Sequence, residues 1–248
     1  MKHFITEREL VLAFNNYLYQ TIVSPSIKLF NEFETTNGIA DLVLAYIPNR
    51  SKDLSSIGQI NPRWVAALAA VEDKTMLDIG YFSHTSGLSI RESNSAFKYF
   101  NVAGYISRIG SDTYKKTNLL QPIISELCAI EAKLRDWKKA LYQAYRYQDF
   151  AHKSWVLLDA NNVNPALENI CEFNKFNVGL ASIDINQQVR IYFAPKFSEP
   201  RFQQAFWNAN CVVSRNLTDF NVPNKIYQSH SARVLNVPDS RVFQSAGM

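Results

Sequence analysis

The segment Ile123-Ile124-Ser125-Glu126-Leu127-Cys128-Ala129-Ile130-Glu131-Ala132-Lys133-Leu134 reads as a buried β-strand that carries two opposite charges near its end. Residues two apart on a strand project to the same face, so Glu131 and Lys133 stand side by side in an otherwise apolar run. Burying a charge is costly unless it is paired or binds a metal. The plain alternative is an ion pair on an exposed edge strand, which contributes little. A carboxylate and an ammonium in a central strand, joined by a second carboxylate, can hold a divalent cation and orient an attacking water. Those are the parts that metal-assisted phosphodiester hydrolysis requires.

Working outward, an amphipathic helix follows from Asp136 to about Ala151, apolar at Trp137, Ala140, Leu141, Ala144, Tyr145 and Tyr147, with Asp136 as its N-cap. Trp155–Asp159 reads as a short buried strand, and Pro165 opens a helix at its favoured first position. Val178–Ile183 and Gln188–Phe193 form a hairpin, and Phe202–Ala209 has helical spacing. After about Asn216 no strong periodicity assigns an element. Upstream, Leu10, Phe14, Tyr17, Leu18 and Ile22 form one stripe of a helix over residues 6–23, with Thr6 and Glu9 spaced as a capping box. Residues 26–34 alternate as a strand, Thr35 to Gly38 turn, and Ile39–Ile47 return as a second, largely buried strand that carries Asp41.

The texture changes between Pro48 and about Asn118. Pro62 to Val71 is an alanine-rich amphipathic helix, and Thr75 to Phe82 a short second one followed by a turn at Thr85-Ser86-Gly87. Ser89 caps a third helix that runs to about Val102, and Gly104–Lys116 reads as a hairpin. Three helices and a β-hairpin make a winged helix-turn-helix pattern.

Helix, hairpin, strand with Glu-x-Lys, helix, strand is the element order of the restriction-endonuclease-like core. Over roughly residues 5–47 and 120–195 the chain resembles the PD-(D/E)XK nuclease superfamily. Asp41 matches the family's first acidic metal ligand, and Glu131 with Lys133 matches its ExK pair. Gln143-Ala144-Tyr145-Arg146-Tyr147 matches the QxxxY signature of some branches, with Gln143 and Tyr147 on one helix face. An acidic residue of the first helix often completes such a site; Glu7 and Glu9 both qualify, and the sequence does not choose between them. Ala40 stands where the family has proline, and the gap from Asp41 to Glu131 is longer than usual, which the winged-helix segment explains.

The resemblance implies an α/β (α+β) fold. A restriction-endonuclease-like domain with a mixed central sheet flanked by helices would comprise residues 1–49 and 119–248, interrupted by a winged-helix DNA-binding domain at 50–118. Asp41 and Glu131, helped by the carbonyl of Ala132, would bind Mg²⁺ or Mn²⁺, since oxygen ligands favour these over zinc. Lys133 would position or deprotonate the attacking water, Gln143 would orient water or DNA, and Tyr147 would brace its helix or touch a phosphate. For DNA contact the third helix offers Ser89, Arg91, Ser93, Asn94 and Lys98, and the wing Arg108, Lys115 and Lys116.

The expected activity is metal-dependent DNA cleavage. Its rivals are a non-cleaving DNA-binding regulator on the same scaffold and a module that docks a protein through the winged helix. A net charge of +4 permits a polyanionic partner, with double-stranded DNA the first choice, without requiring one. A homodimer accords with cutting both strands, which usually needs two sites. With 47% apolar and 19% charged residues the composition is that of a globular protein. Three scattered cysteines without a CxxC pair point to reduced thiols in the cytoplasm, and four scattered histidines argue against a histidine metal cage. No apolar run approaches the ~20 residues of a membrane span, and the N-terminus does not open as a signal peptide.

Overall fold

The computed structural model describes residues 3–22, 24–35, 38–48, 57–72, 75–117, 119–219 and 235–236. The tip of the expected turn at Thr35–Gly38, most of the break at Pro48–Ser51, and all but two residues beyond Asp219 lie outside them. The chain divides into two units. The first holds the described residues within Met1–Arg50, Ile124–Phe206 and Lys225–Met248, the second those within Ser51–Ile123 and Trp207–Asn224.

The first unit is built on a mixed sheet of six strands, β1 (Ile27–Thr35), β2 (Gly38–Tyr46), β6 (Glu126–Lys133), β7 (Lys153–Asp159), β8 (Gly179–Ile183) and β9 (Val189–Phe193), in that order. The two-residue β10 (Leu235–Asn236) extends it at the β1 edge. β1, β2 and β6 pair antiparallel, β6–β7 and β7–β8 parallel, and β8–β9 antiparallel. Parallel neighbours need a crossover, and helix α5 (Trp137–Tyr147) supplies it between β6 and β7. Between β7 and β8 the crossover contains the short helices α6 (Asn164–Leu167) and α7 (Ile170–Phe176).

The strand β6 is central, with residues 127–132 all buried, as its apolar run demands. Alternation along it splits the side chains between two faces. Cys128, Ile130 and Ala132 join the cluster of Leu10, Phe14 and Leu18 from helix α1 (Glu7–Thr21). Glu131 is directed to the other face, which α5 covers. His152 ties down the start of the strand: its Nδ1 accepts from the Leu127 N–H at 3.0 Å, and burial lowers its pKa, which keeps the imidazole an acceptor.

The second unit has its own core of Ile57, Val65, Leu68, Phe82, Phe97 and Phe100, among others. Around it lie α2 (Pro62–Ala69), α3 (Ile79–Ser86) and α4 (Ile90–Val102), with a three-stranded sheet in the order β3 (Met76–Leu77), β5 (Tyr114–Lys116), β4 (Ile106–Arg108). The second helix differs from its expected span of Thr75 to Phe82. Asp78 caps it, its Oδ1 accepting from the Tyr81 N–H at 2.7 Å, and the residues before the cap pair with β5 as a strand. The helix ends at Gly87, whose φ of 67° suits a residue without a Cβ.

A long helix α8 (Gln203–Asp219) replaces the shorter element expected at Phe202–Ala209, and from Trp207 on it belongs to the second unit. In the chain the two units divide at 123/124, beside the expected 118/119. Trp207 and Cys211 enter the second core. Asn210 and Ser214 are buried too, because their oxygens accept from the backbone N–H of Ile123 (2.9 Å) and of Gly58 (3.0 Å). A Cβ on Gly58 would stand 2.8 Å from the Arg215 nitrogen, so the close approach requires glycine. Among the described residues no helix is long and apolar enough to cross a membrane.

Candidate active site

The antiparallel ladder between β2 and β6 ends at the pair Leu42↔Ile130. The next N–H on that edge of β6, from Ala132, is donated to the side chain of Asp41, with Oδ2 at 2.8 Å. The carboxylate thus takes the place of a strand carbonyl and is fixed where the two strands part. The β1–β2 partners on either side, Asn31↔Leu42 and Phe33↔Ala40, leave Glu32 opposite Asp41. Glu32 adopts a φ of 50°, a left-handed backbone uncommon for a non-glycine residue and a form of local strain often found near functional groups.

Glu131 is 1% exposed, and both of its oxygens are engaged. Lys133 Nζ lies 2.8 Å from Oε1, while the Tyr147 hydroxyl donates to Oε2 and also lies 2.7 Å from the Ile39 carbonyl oxygen. Lys133 extends the array to Glu7 Oε2 at 3.1 Å and donates to the Ala132 carbonyl at 3.2 Å. Asp41, Glu131, Lys133, Tyr147 and Glu7 are therefore brought together. Glu9 is not: its carboxylate accepts from the Ile5 and Thr6 N–H groups in the capping box of α1. Of the two, Glu7 is the one in contact with Lys133.

Electrostatics follow from this crowding. Burial, then the charge of Glu131, push the Asp41 carboxyl up to about 6, against the opposing Ala132 N–H and Lys133. Burial alone would lower the Lys133 pKa. The hydrogen bond and charge of Glu131, with Asp41 and Glu7, outweigh it and hold the ammonium above its ordinary value. Burial and the adjoining Glu131 charge raise the Tyr147 phenol, so it stays a donor. Gln143, one turn before Tyr147, has a buried Oε1 without a hydrogen-bond partner among the described residues, a costly state for an amide oxygen. No described contact joins it to Glu131 or Asp41. Among the described residues no group of three or more His, Cys, Asp or Glu side chains is arranged to hold a metal ion.

The Tyr147 hydroxyl yields a first prediction. Tyr147→Phe removes the one hydroxyl proton shared between the Glu131 and Ile39 oxygens and costs about 1–3 kcal/mol. Urea unfolding checks this, and an unchanged midpoint would show the two contacts to be without consequence.

In the second unit the expected DNA-contact residues divide. Arg91, Lys98 and Lys115 are exposed. Ser93 is fully buried beside Ala96, Phe97 and Phe100 on the apolar face of α4, so it faces the core rather than a groove. Lys116 is also buried, its Nζ donating to the carbonyls of Ala69 and Val71, so its charge caps the end of α2. Ser89 and Asn94 are exposed but occupied locally, Ser89 with Glu92 (2.8 Å) and Asn94 with the Ile90 carbonyl (2.9 Å). Arg108 is exposed and bridges its own turn through the carbonyls of Gly110 and Ser111. Comparison with protein-family models, curated proteins and solved structures finds no match to this chain.

Proposed function

We propose that this protein is a metal-dependent nuclease of the PD-(D/E)XK kind, acting on DNA. The observation that carries the reading is the convergence of Asp41, Glu131 and Lys133 at the point where β2 and β6 part. The donor set fits a hard divalent cation. Asp41 is desolvated and in repulsion with Glu131, a cation beside them relieves both, and the orphaned Gln143 Oε1 is a further hard oxygen in this part of the unit. Asp41, Glu131 and the Ala132 carbonyl would hold Mg²⁺ or Mn²⁺. When bound, such an ion supplies Lewis-acid stabilisation of charge on the phosphate.

The residues of the chain do the rest. Lys133 stays an ammonium because Glu131 and Glu7 surround it, so it serves as an electrostatic partner for the charge growing on phosphate rather than as a base. Tyr147 fixes the Glu131 rotamer, and Gln143 offers Oε1 as an acceptor to water and its amide N–H as a donor to a backbone phosphate. The element order α2, β3, α3, α4, β4, β5 accords with a winged helix, with Arg91, Lys98 and Lys115 as its phosphate-contacting cations. Double-stranded DNA is the proposed partner, and a homodimer the arrangement by which both strands would be cut. The three free cysteines accord with the cytoplasm.

The regulator reading gains from one observation: both Glu131 oxygens are already taken by Lys133 and Tyr147. A thermal-shift titration separates the two. A working site gives a rise in Tm with Mn²⁺ that disappears in Asp41→Asn; no rise favours the regulator. For the second unit, Lys115→Glu weakens DNA binding and reduces its salt slope by about 1, with Tm unchanged. Lys116→Ala instead lowers Tm, because it frees two carbonyls. Equal effects of the two substitutions on DNA affinity would refute this division.

A further inference from the structure

Helix α5 carries Tyr147 to Glu131 of the sheet, and another face of the helix forms an open groove with α7. This groove has a volume of about 570 Å³ and is walled by Trp137, Leu141, Tyr142, Tyr145 and Phe176. Such a volume lies within the ~300–1,000 Å³ of small-ligand sites. Positions 138, 141, 142 and 145 follow helical spacing, so one continuous stripe of α5 lines it. Lys138 and Tyr142 are its exposed members, Tyr142 64% accessible, while Leu141 is buried. The ring planes around it are set by packing. Trp137 tilts against Phe173 at 5.9 Å, and Tyr145 stands edge-on to Phe176 at 5.1 Å. Arg201 covers one face of Tyr145 at 4.2 Å, which leaves Tyr142 as the open ring.

Two cations sit at the rings themselves. Lys138 Nζ is 5.6 Å from the Trp137 centroid and Lys175 Nζ 5.3 Å from that of Phe176. Among the described residues Glu172 is the one carboxylate lining the groove. Lys139 follows Lys138 directly and Arg135 precedes it by three residues, both exposed, with exposed Asp136 in between. An aromatic floor with ammonium groups on its rim suits a ligand with flat apolar faces strung on an anionic backbone. Nucleobases on a single strand have that form, whereas the bases of a duplex are stacked on one another and their faces are closed. Glu172 can accept from the exocyclic amino group of an adenine, cytosine or guanine. Trp137 is four residues after Lys133, so the groove begins within ~14 Å of chain from the ExK end of β6.

We infer that the α5–α7 groove is a stacking site for a base of single-stranded DNA, which guides an unpaired strand past the site at Asp41, Glu131 and Lys133. The assignment rests on the nuclease reading for its purpose but not for its test. Fluorescence anisotropy in EDTA, with a labelled single strand of about 12 nucleotides and the matching duplex, measures binding without cleavage. Tyr142→Ala is expected to weaken single-strand binding at least about fivefold, the low end for loss of one base stack, and to leave the duplex affinity within twofold. Tyr142→Phe retains single-strand affinity because the ring remains. Lys138→Glu weakens single-strand binding and flattens its salt dependence.

Full single-strand affinity in Tyr142→Ala would overturn the assignment, and so would a wild type that binds no single strand. An equal loss on single strand and duplex would reduce the groove to a charged surface and also overturn it. The nuclease reading fails separately. If wild type cleaves nothing in Mn²⁺ or Mg²⁺ while Tyr142→Ala still loses single-strand affinity, the groove stands and the cleavage site does not.

Discussion

Lys133→Ala is expected to reduce the proposed metal-dependent DNA cleavage by about 10²–10³-fold, the usual effect of removing one preorganised partner of transition-state charge. The same change leaves Glu131 buried with only the Tyr147 donor, and unpaired buried charge destabilises by roughly 3–5 kcal/mol when no water or ion compensates. Lys133→Met keeps the length of the side chain and separates the two effects. It should fold with a lowered Tm, bind DNA as the wild type does, and still fail to cleave. Circular dichroism melts, gel retardation and single-turnover cleavage measure the three quantities. Wild-type cleavage by Lys133→Met would show that the ammonium takes no part in the chemistry.

Asp41→Asn is expected to stabilise the protein at neutral pH in EDTA and to abolish the proposed cleavage. The folded-state pKa of Asp41 is about 6, above the ordinary 3.8, so the group favours folding only where it is protonated. Its contribution is complete below pH 3.8 and is lost as the pH rises through about 6. Asparagine preserves the acceptor for the Ala132 N–H without the charge. The gain is about 1–3 kcal/mol at pH 7.5 in EDTA and vanishes near pH 4. Urea unfolding at both pH values checks the sign and the window. Equal stability of wild type and Asp41→Asn at pH 7.5 would mean that the carboxylate is well solvated and the site is not built as described.

The charged end of β6 was legible because Glu131 and Lys133 interrupt an apolar strand, and local spacing sufficed to see it. Glu9 could have been set aside by its capping-box spacing with Thr6, which holds its carboxylate at the start of α1. Ser93 could have been set aside by its helical spacing with Ala96, Phe97 and Phe100, all on the buried face of α4. Lys116 could not, since the carbonyls that hold it belong to Ala69 and Val71, far back in the chain. The length of α8 was hidden for the same reason. Asn210 and Ser214 break its apolar stripe, and only their bonds to the Ile123 and Gly58 backbone explain their burial. The left-handed Glu32 left no mark in the residue pattern at all.

The most direct test of the central claim is incubation of the purified wild-type protein with plasmid and single-stranded DNA in Mn²⁺, in Mg²⁺ and in EDTA, beside Lys133→Met. The account predicts nicking or degradation in the presence of either metal, none in EDTA, and none by the variant. Intact DNA in every condition, with the same DNA retarded on a gel, would contradict it and make the protein a DNA-binding regulator.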